Sequence, residues 1–252
     1  MEMKKMYAVL LCAEDPEYVK KVHGGYFQVF KRLLGDEGEE DSNGDHEVWD
    51  SFKALAGELP KGDDEIAKYD GFVITGSSQD AHSDDLWVRE LIHLLKKLNS
   101  MKKKVLGICF GHQILCRALG GKTGRGKKGW DLGVTTINLS TKYISSQTSL
   151  NTPPSLAVME CHRDEVRELP PMAEVVAWSE KTQVEMFKYG EHMMGIQGHP
   201  EYTKDIVLHL IDRLLQSNLI QAWQAEAAKL KLEAREPNEE AWKKLCKGFL
   251  KG

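Results

Sequence analysis

The stretch VLGICFGHQILCRALGG, from Val105 to Gly121, holds a cysteine between two glycines where an apolar run gives way to helical spacing. The run from Val105 to Cys109 has the length and composition of a buried strand. The apolar side chains after Cys109 recur at helical intervals until two consecutive glycines, which commonly end a helix. A buried strand followed at once by a helix is the repeating unit of α/β proteins, in which helices cover both faces of a parallel sheet.

Other short apolar runs predict more strands, and two segments with leucines at helical spacing predict helices. The predicted strands are Tyr7–Cys12, Gly71–Thr75, Leu156–Glu160, Val175–Trp178 and Met193–Gln197, and the predicted helices are Leu86–Leu98 and Ile206–Leu215. Between Val134 and Tyr189 the strands follow one another directly, which predicts a few antiparallel strands. Two polar segments, Gly35–Glu47 and Ser140–Ser155, are predicted to be loops.

We therefore expect one α/β domain over residues 1–217, with a single open, mostly parallel sheet and helices on both faces. Residues 218–252 are predicted to form a C-terminal helical extension packed on that domain. The extension breaks at Pro237, and Asn238 is expected to cap its last helix, whose apolar stripe contains Trp242 and Phe249.

The composition disfavours several classes of protein. The chain has 252 residues, 41% of them hydrophobic and 29% charged, with a net charge of −4, so nothing points to nucleic acid or a membrane surface. No segment approaches the ~20 apolar residues of a membrane span. The five cysteines are an odd number without a CxxC pair, which disfavours a disulfide framework or a cysteine zinc site and favours a reducing, cytosolic compartment.

The segment GICFG has the form G-x-C-x-G, the cysteine counterpart of the nucleophile elbow. Gly107 and Gly111 would remove side chains that collide around so sharp a turn, and the helix start after Cys109 favours a thiolate. The backbone N–H of Phe110 would point at an oxyanion beside the sulfur. The alternative is a buried cysteine between two packing glycines, and this motif alone does not decide. Cys116, two turns further along the helix, is expected to be a core thiol.

A cysteine nucleophile needs a proton carrier, and MMGIQGHPEYTKD, from Met193 to Asp205, offers one. His199 follows an apolar strand, and the carboxylate of Glu201 can turn back to its imidazole and fix the tautomer. Both Cys109 and His199 follow predicted strands, whose carboxyl ends line one crevice in an open parallel sheet. The alternative is a surface turn. His112, inside the helix start, and His162, beside Cys161, are not expected to partner the nucleophile.

With Cys109, His199 and Glu201 in this order, the chain resembles the class I glutamine amidotransferases, whose fold is flavodoxin-like. The segments that carry the resemblance are GICFGHQ, GHPE, DGFVITGSSQD at Asp70–Asp80 and ECHRDEV at Glu160–Val166, within roughly Met6 to Leu215. The resemblance implies that Cys109 attacks a γ-glutamyl carbonyl, that His199 moves the proton and that Glu201 orients His199.

The resemblance also implies roles for groups around the nucleophile. Backbone N–H groups near Ser77 and at Phe110 would hold the oxyanion, while Gln113 and Asp164 would hold the glutamyl moiety. Two departures leave questions open. The family's oxyanion loop is commonly Gly-Gly-Pro, whereas this loop has Ser77 and Ser78, so the donor N–H is undecided. Arg163 replaces a usual glycine and is either a surface charge or a bidentate partner of a substrate carboxylate.

Within the family the chain resembles the plant γ-glutamyl peptidases, because it has no Gly-rich phosphate loop for ATP and no synthase segment to use ammonia. This resemblance implies cleavage of glutathione and its conjugates through a γ-glutamyl thioester, releasing glutamate and cysteinylglycine products. It implies a role in glutathione, glucosinolate and camalexin metabolism, without cofactor, metal or synthase partner. The alternatives are a glutaminase subunit that donates ammonia to a separate synthase and a non-catalytic binding protein on the same scaffold.

Overall fold

The structure is a computed structural model that describes residues 5–36, 47–146 and 152–252. The strands are β1 Lys5–Leu10, β2 Glu47–Phe52, β3 Gly71–Ile74, β4 Lys104–Ile108, β5 Lys122–Arg125, β6 Asp131–Leu139, β7 Ser155–His162, β8 Asp164–Glu168, β9 Ala173–Trp178, β10 Met186–Tyr189 and β11 Met193–Ile196. The helices are α1 Tyr26–Leu34, α2 Gly62–Ala67, α3 Leu86–Ser100, α4 Phe110–Ala118, α5 Thr141–Ser146, α6 Lys204–Gln216, α7 Ala222–Ala234 and α8 Glu239–Lys251.

Nine strands form one mixed sheet in the order β2-β1-β3-β4-β11-β10-β9-β6-β7, and β5 and β8 form a separate antiparallel pair. The first five strands of that order are parallel, and the pairs β11–β10, β10–β9, β9–β6 and β6–β7 are antiparallel. The predicted α/β fold, with antiparallel strands between Val134 and Tyr189, is thereby confirmed. The central strand β4 is buried on both faces, which is why its sequence lacks polar alternation.

Helices cover both faces of the parallel half. On one face, the leucines of α3 pack with Ile114 and Leu115 of α4 against Phe72 of β3. On the other face, Phe30 of α1 and Trp242 of α8 belong to the cluster that contains residues of β1, β3 and β4. The C-terminal helix α8 therefore supplies part of the main core of the molecule.

Helix α8 is attached to the edge strand β7 by hydrogen bonds to one residue. The indole Nε1 of Trp242 donates to the Ala157 carbonyl at 2.9 Å, and the Ala157 N–H donates to Oδ1 of Asn238 at 2.6 Å. Asn238 occupies the N-cap position, but its side chain makes no hydrogen bond to its own helix. The expectation of a side-chain cap is therefore wrong, because the open edge of β7 offers the amide a long-range partner instead.

The sequence patterns miss several elements. Strand β2 and helix α1 were not predicted, and part of the predicted loop Ser140–Ser155 is helix α5. Residues 37–46 and 147–151, which make up most of what remains of the two predicted loops, lie outside the described residues. In the described ranges of the chain, none of the helices combines the length and apolar character needed to cross a bilayer.

Candidate active site

Cys109 lies in the turn between β4 and α4, with φ +52° and ψ −103°. A cysteine with positive φ is strained, and such strain is concentrated at functional sites. Its backbone is held on both sides, because its N–H donates to the Ile196 carbonyl at 2.8 Å and its carbonyl accepts from the Gln113 N–H at 3.0 Å. The turn has the geometry of a nucleophile elbow.

The two glycines around the elbow are required by close backbone approaches. A Cβ added at Gly107 would lie 2.4 Å from the Gly111 carbonyl oxygen. A Cβ at Gly111 would lie 2.3 Å from the carbonyl oxygen of Ile74 in β3. Glycine at these two positions therefore allows both the tight packing and the sharp turn, because α4 begins directly against the neighbouring strands.

His199 lies just beyond β11, the strand next to β4, so the sheet brings it to Cys109. Its Nδ1 lies 2.8 Å from Oε1 of Glu201, and all three side chains are buried. The His199 N–H donates to the Met159 carbonyl at 2.7 Å, which fixes this turn against β7. The structure thus brings together Cys109, His199 and Glu201, the three residues expected to form the triad.

The electrostatics of His199 follow from its two neighbours. Burial alone favours the neutral ring, but the Glu201 carboxylate and the Cys109 sulfur outweigh it and raise the pKa of His199 to about 10. An imidazole with this pKa carries its proton at neutral pH. The proton is therefore held beside the sulfur, and Glu201 leaves Nε2 as the nitrogen available to the reacting groups.

Tyr202 supports the histidine, although no sequence motif marks it as a site residue. Its ring stacks on the His199 ring with centroids 4.0 Å apart and planes 3° from parallel. The hydroxyl groups of Tyr202 and Tyr26 lie 3.4 Å apart. An aromatic face against an imidazolium is favourable, so Tyr202 fixes the ring plane and stabilises the charged form of His199. Its position three residues after His199 was the only available signal in the sequence.

The loop after β3 passes close to both Cys109 and His199. A Cβ at Gly76 would lie 2.9 Å from Cε1 of His199 and 3.7 Å from Cβ of Cys109. Ser77 follows in the same loop and lines the cavity that contains the Cys109 side chain. Phe110 follows Cys109 directly in the chain and is the first residue of α4. The two backbone positions expected to form the oxyanion hole therefore flank the nucleophile.

The residues expected to hold a glutamyl group line the same cavity. Nε2 of Gln113 donates to the Asp164 carbonyl at 2.9 Å and to Oε1 of Gln197 at 3.1 Å. Oδ1 of Asp164 lies 3.1 Å from Nε of Arg125, a partner that no sequence motif predicts. Arg163 is exposed and lines the cavity. Gln113 is thus oriented through its amide nitrogen, and its carbonyl oxygen is the part left to face a substrate.

The cavity at Cys109 has a volume of about 270 Å³ and continues from the elbow along helix α6. Besides the residues already described, its lining includes Glu14, Asp80, Trp130, Leu210, Arg213, Leu214 and Leu219. The lining contributed by α6 and the residues after it is mainly apolar, with Leu210, Leu214 and Leu219, and Arg213 adds one positive charge.

A second buried group of ionisable residues borders the site. Glu160, His162 and Glu185 offer ligand atoms within 4.8 Å of one another, and Nε2 of His162 lies 3.3 Å from Oε2 of Glu160. Neither carboxylate accepts a hydrogen bond from the described parts of the chain. Burial raises the pKa of Glu185 to about 8 and that of Glu160 well above its ordinary value, and it lowers the pKa of His162 to about 4. This group and a more exposed one, Asp80 with His82 and Asp164, have the side chains that bind metals.

Residues 55–207 match the family model of class-I glutamine amidotransferases. The chain is 47% identical to gamma-glutamyl peptidase 5 of Arabidopsis thaliana, over 99% of this chain and 96% of that protein. It is 46% identical to gamma-glutamyl peptidase 3 of the same plant, over 100% of this chain and 99% of that one. A glutamine amidotransferase from Thermotoga maritima has the same fold, with a TM-score of 0.68 at 20% identity over 99% of this chain and 98% of that one.

Proposed function

Because the chain belongs to the class I glutamine amidotransferase family, we propose that it is a hydrolase of γ-glutamyl amides whose nucleophile is Cys109. The observation that carries the proposal is the buried arrangement of a strained cysteine, a histidine and a carboxylate, with Nδ1 of His199 2.8 Å from Glu201. A protonated histidine beside the sulfur favours the thiolate, which is the form in which cysteine acts as a nucleophile in acyl transfer. The full-length similarity to γ-glutamyl peptidases supports the same reaction.

In the proposed reaction, the Cys109 thiolate attacks the γ-carbonyl carbon, a C–S bond forms, and the C=O π pair moves to the carbonyl oxygen. Backbone N–H groups at Phe110 and near Ser77 stabilise the resulting oxyanion. His199 gives its proton to the leaving nitrogen as the C–N bond breaks, which leaves a γ-glutamyl thioester. His199 then takes a proton from water, whose oxygen attacks the thioester and releases glutamate and the thiolate.

The glutamyl end of the substrate has an ammonium and a carboxylate on its α-carbon. In this proposal, Gln113 and Asp164 contact the ammonium, while Arg163 pairs with the α-carboxylate. Asp164 already pairs with Arg125, so the ammonium would join an existing ion pair. A site that binds both charges leaves buried polar groups unpaired when either is absent, which is the basis of strong discrimination.

We further propose that the leaving group is an amino acid or peptide, with glutathione and its S-conjugates as substrates and cysteinylglycine compounds as products. The cavity continues along α6 beyond the nucleophile, which gives room for a leaving group larger than ammonia. Names of relatives at 43–47% identity over nearly the whole chain support a peptidase. A cytosolic role in glutathione, glucosinolate or camalexin metabolism belongs to the same proposal.

The test is to incubate the protein with glutathione, an S-alkyl glutathione, α-Glu-Cys-Gly and glutamine, and to identify the products. We expect glutamate from both γ-linked peptides and none from the α-linked one. The second candidate, ammonia donation by a glutaminase subunit, would replace the peptidase if glutamine were the best substrate. Glutamate release that persists in Cys109→Ala would exclude the proposed mechanism.

A further inference from the structure

Helix α6 borders the cavity on the side where a leaving group departs. His199 protonates the leaving nitrogen in the proposed reaction, so that group leaves next to the His199 ring. Tyr202 stacks on that ring, and α6 begins two residues later, at Lys204. Leu210, Arg213 and Leu214 of α6 line the same cavity as Cys109. Their spacing of three and four residues places them on one face of the helix, and this face borders the cavity into which the leaving group would depart.

The end of α6 adds an apolar wall to this face. Asn218 has φ +54°, a left-handed conformation that ends the helix, and the Leu219 N–H then donates to the Leu214 carbonyl at 2.9 Å. Nε1 of Trp130 donates to the Leu219 carbonyl at 3.1 Å. Trp130, Leu214 and Leu219 are thus connected by hydrogen bonds, although the Leu219 side chain is 54% exposed. An exposed leucine fixed beside a tryptophan offers apolar surface to a ligand.

Arg213 places a positive charge beside this wall. No carboxylate in the described ranges lies within ion-pair distance of its guanidinium, whereas Arg125 in the same cavity pairs with Asp164 at 3.1 Å. Burial raises the pKa of Tyr26 to about 12, and the Arg213 charge opposes that rise, so the guanidinium acts on a group that lines the cavity. An unpaired guanidinium at a cavity is suited to bind a carboxylate through two parallel hydrogen bonds.

We propose that Arg213, Trp130, Leu214 and Leu219 form a leaving-group subsite that binds a free carboxylate and an adjacent apolar substituent. The inference rests on the proposed hydrolysis and specifies its substrate class: γ-glutamyl amides whose leaving amine is an amino acid or peptide acid with a hydrocarbon side group. Arg213 selects the carboxylate, and the apolar wall selects the substituent. Glutamine, whose leaving group is ammonia, makes neither contact.

The charge is tested with γ-Glu-Cys-Gly and its C-terminal amide, which differ only in the carboxylate. We expect kcat/KM of the wild type to favour the acid roughly 10- to 100-fold, because charged hydrogen bonds are worth about that much. Arg213→Gln should bring the ratio close to one, mainly through KM, and Arg213→Lys should restore part of it. Arg89→Gln on α3, which removes an exposed charge outside the cavity, should keep the ratio of the wild type.

The apolar wall is tested by comparing S-hexyl-glutathione with glutathione. The wild type should cleave the S-hexyl compound with the higher kcat/KM, and Leu219→Ser should remove most of that advantage while the acid preference remains. Leu219 is more than half exposed, so this change leaves the core intact. An S-hexyl preference that is unchanged in Leu219→Ser would exclude the apolar wall.

Two controls separate this inference from the proposed function. γ-Glutamyl-p-nitroanilide has no leaving-side carboxylate, so Arg213→Gln should lower kcat/KM for it far less than for γ-Glu-Cys-Gly. Binding of S-hexyl-cysteinylglycine and its amide to Cys109→Ala, measured by calorimetry, reports on the subsite without turnover. If no γ-glutamyl compound is cleaved but the acid binds more tightly than the amide, the proposed reaction fails and the subsite stands. If turnover occurs with equal rates for acid and amide, the subsite is excluded and the reaction stands.

Discussion

Two buried ionisable groups lie next to each other in this protein, and their histidines behave in opposite ways. His199 faces the Glu201 carboxylate and the Cys109 sulfur, and its pKa rises to about 10. His162 is also buried near a carboxylate, yet its pKa falls to about 4. The difference is that burial and the nearby Glu185 raise the pKa of its neighbour Glu160, which disfavours the carboxylate form that would attract a proton to His162. Burial by itself favours the neutral imidazole in both cases, and the interactions of His199 with Glu201 and Cys109 outweigh it.

Among the variants that test the two ionisable groups, the largest loss of activity is expected at the nucleophile, Cys109. Cys109→Ala should lose at least a thousandfold in kcat/KM, because the acyl-enzyme can no longer form. The fold should be retained, since the variant removes one sulfur, and circular dichroism with thermal unfolding checks this. Glutamate release from γ-Glu-Cys-Gly is the activity measurement. Activity within tenfold of the wild type would mean that Cys109 is only a packed thiol.

The next largest losses of activity are expected at His199 and Glu201, and their sizes distinguish the proton carrier from the residue that orients it. His199→Ala should be nearly as damaging as loss of the thiol, since the members of a triad act as a unit. Glu201→Gln should lose less, roughly 10- to 1000-fold, because the ring remains but its tautomer and charge are less well fixed. Steady-state kinetics of the two variants measures the order. A Glu201 variant worse than the His199 variant would mean that the roles are assigned wrongly.

A smaller effect on stability is expected from the second group. Because the pKa of Glu185 is raised from 4.5 to about 8, its ionisation costs the folded state nothing below pH 4.5 and progressively more as the pH rises to 8. Glu185→Gln removes that cost, so its free energy of unfolding should exceed that of the wild type by about 2 kcal/mol at pH 8. Urea unfolding at pH 4.5 and pH 8 measures this.

The prediction concerns the difference in free energy of unfolding between Glu185→Gln and the wild type, because the contribution of His199 is the same in both proteins and cancels. The His199 contribution also decreases as the pH rises. Because the pKa of His199 is raised, its protonation stabilises the folded state below about pH 6.5, and this effect is lost as the pH rises to about 10. A variant that gains nothing between pH 4.5 and pH 8 would mean that Glu185 is ionised in the folded protein at little cost.

The smallest effect is expected at Cys116, the thiol inside α4. It is fully buried, and burial raises its pKa to about 12, so it stays protonated and inert. Cys116→Ala should cost about 1 kcal/mol of stability and leave kcat/KM within twofold. The same chemical change at Cys109 and at Cys116 thus compares a strained thiol with a packed one. A large loss of activity in Cys116→Ala would contradict the assignment of the nucleophile.

The sequence was sufficient to predict those strands and helices whose local pattern of apolar residues matches their place in the fold. Apolar runs predicted β1, β3, β4 and β11, and leucine spacing predicted α3 and α6, because buried parallel strands and amphipathic helices have distinct periods. The apolar run followed by helical spacing predicted the strand–helix junction at Cys109, and the two glycines fit so sharp a turn, although the G-x-C-x-G motif alone did not exclude a packed cysteine. Strand β2 was missed because its side chains are mostly half-buried and lack a clear apolar run.

Tertiary structure alone decided the interactions between distant residues. Asn238 is a residue type that commonly caps helices, but its side chain instead accepts a hydrogen bond from the N–H of Ala157 at the open edge of β7. Arg125 and Arg213 carry the same charge, and only the packing leaves one paired with Asp164 and the other without a carboxylate in the described part of the chain. His199 and His162 are both histidines near acids, and the ionisation of those acids sets opposite pKa shifts.

The sequence by itself determined the elements and the order of the reactive residues, because these depend on neighbours along the chain. Charge states and substrate-facing surfaces depend on which groups share a buried volume, and folding alone brings those groups together.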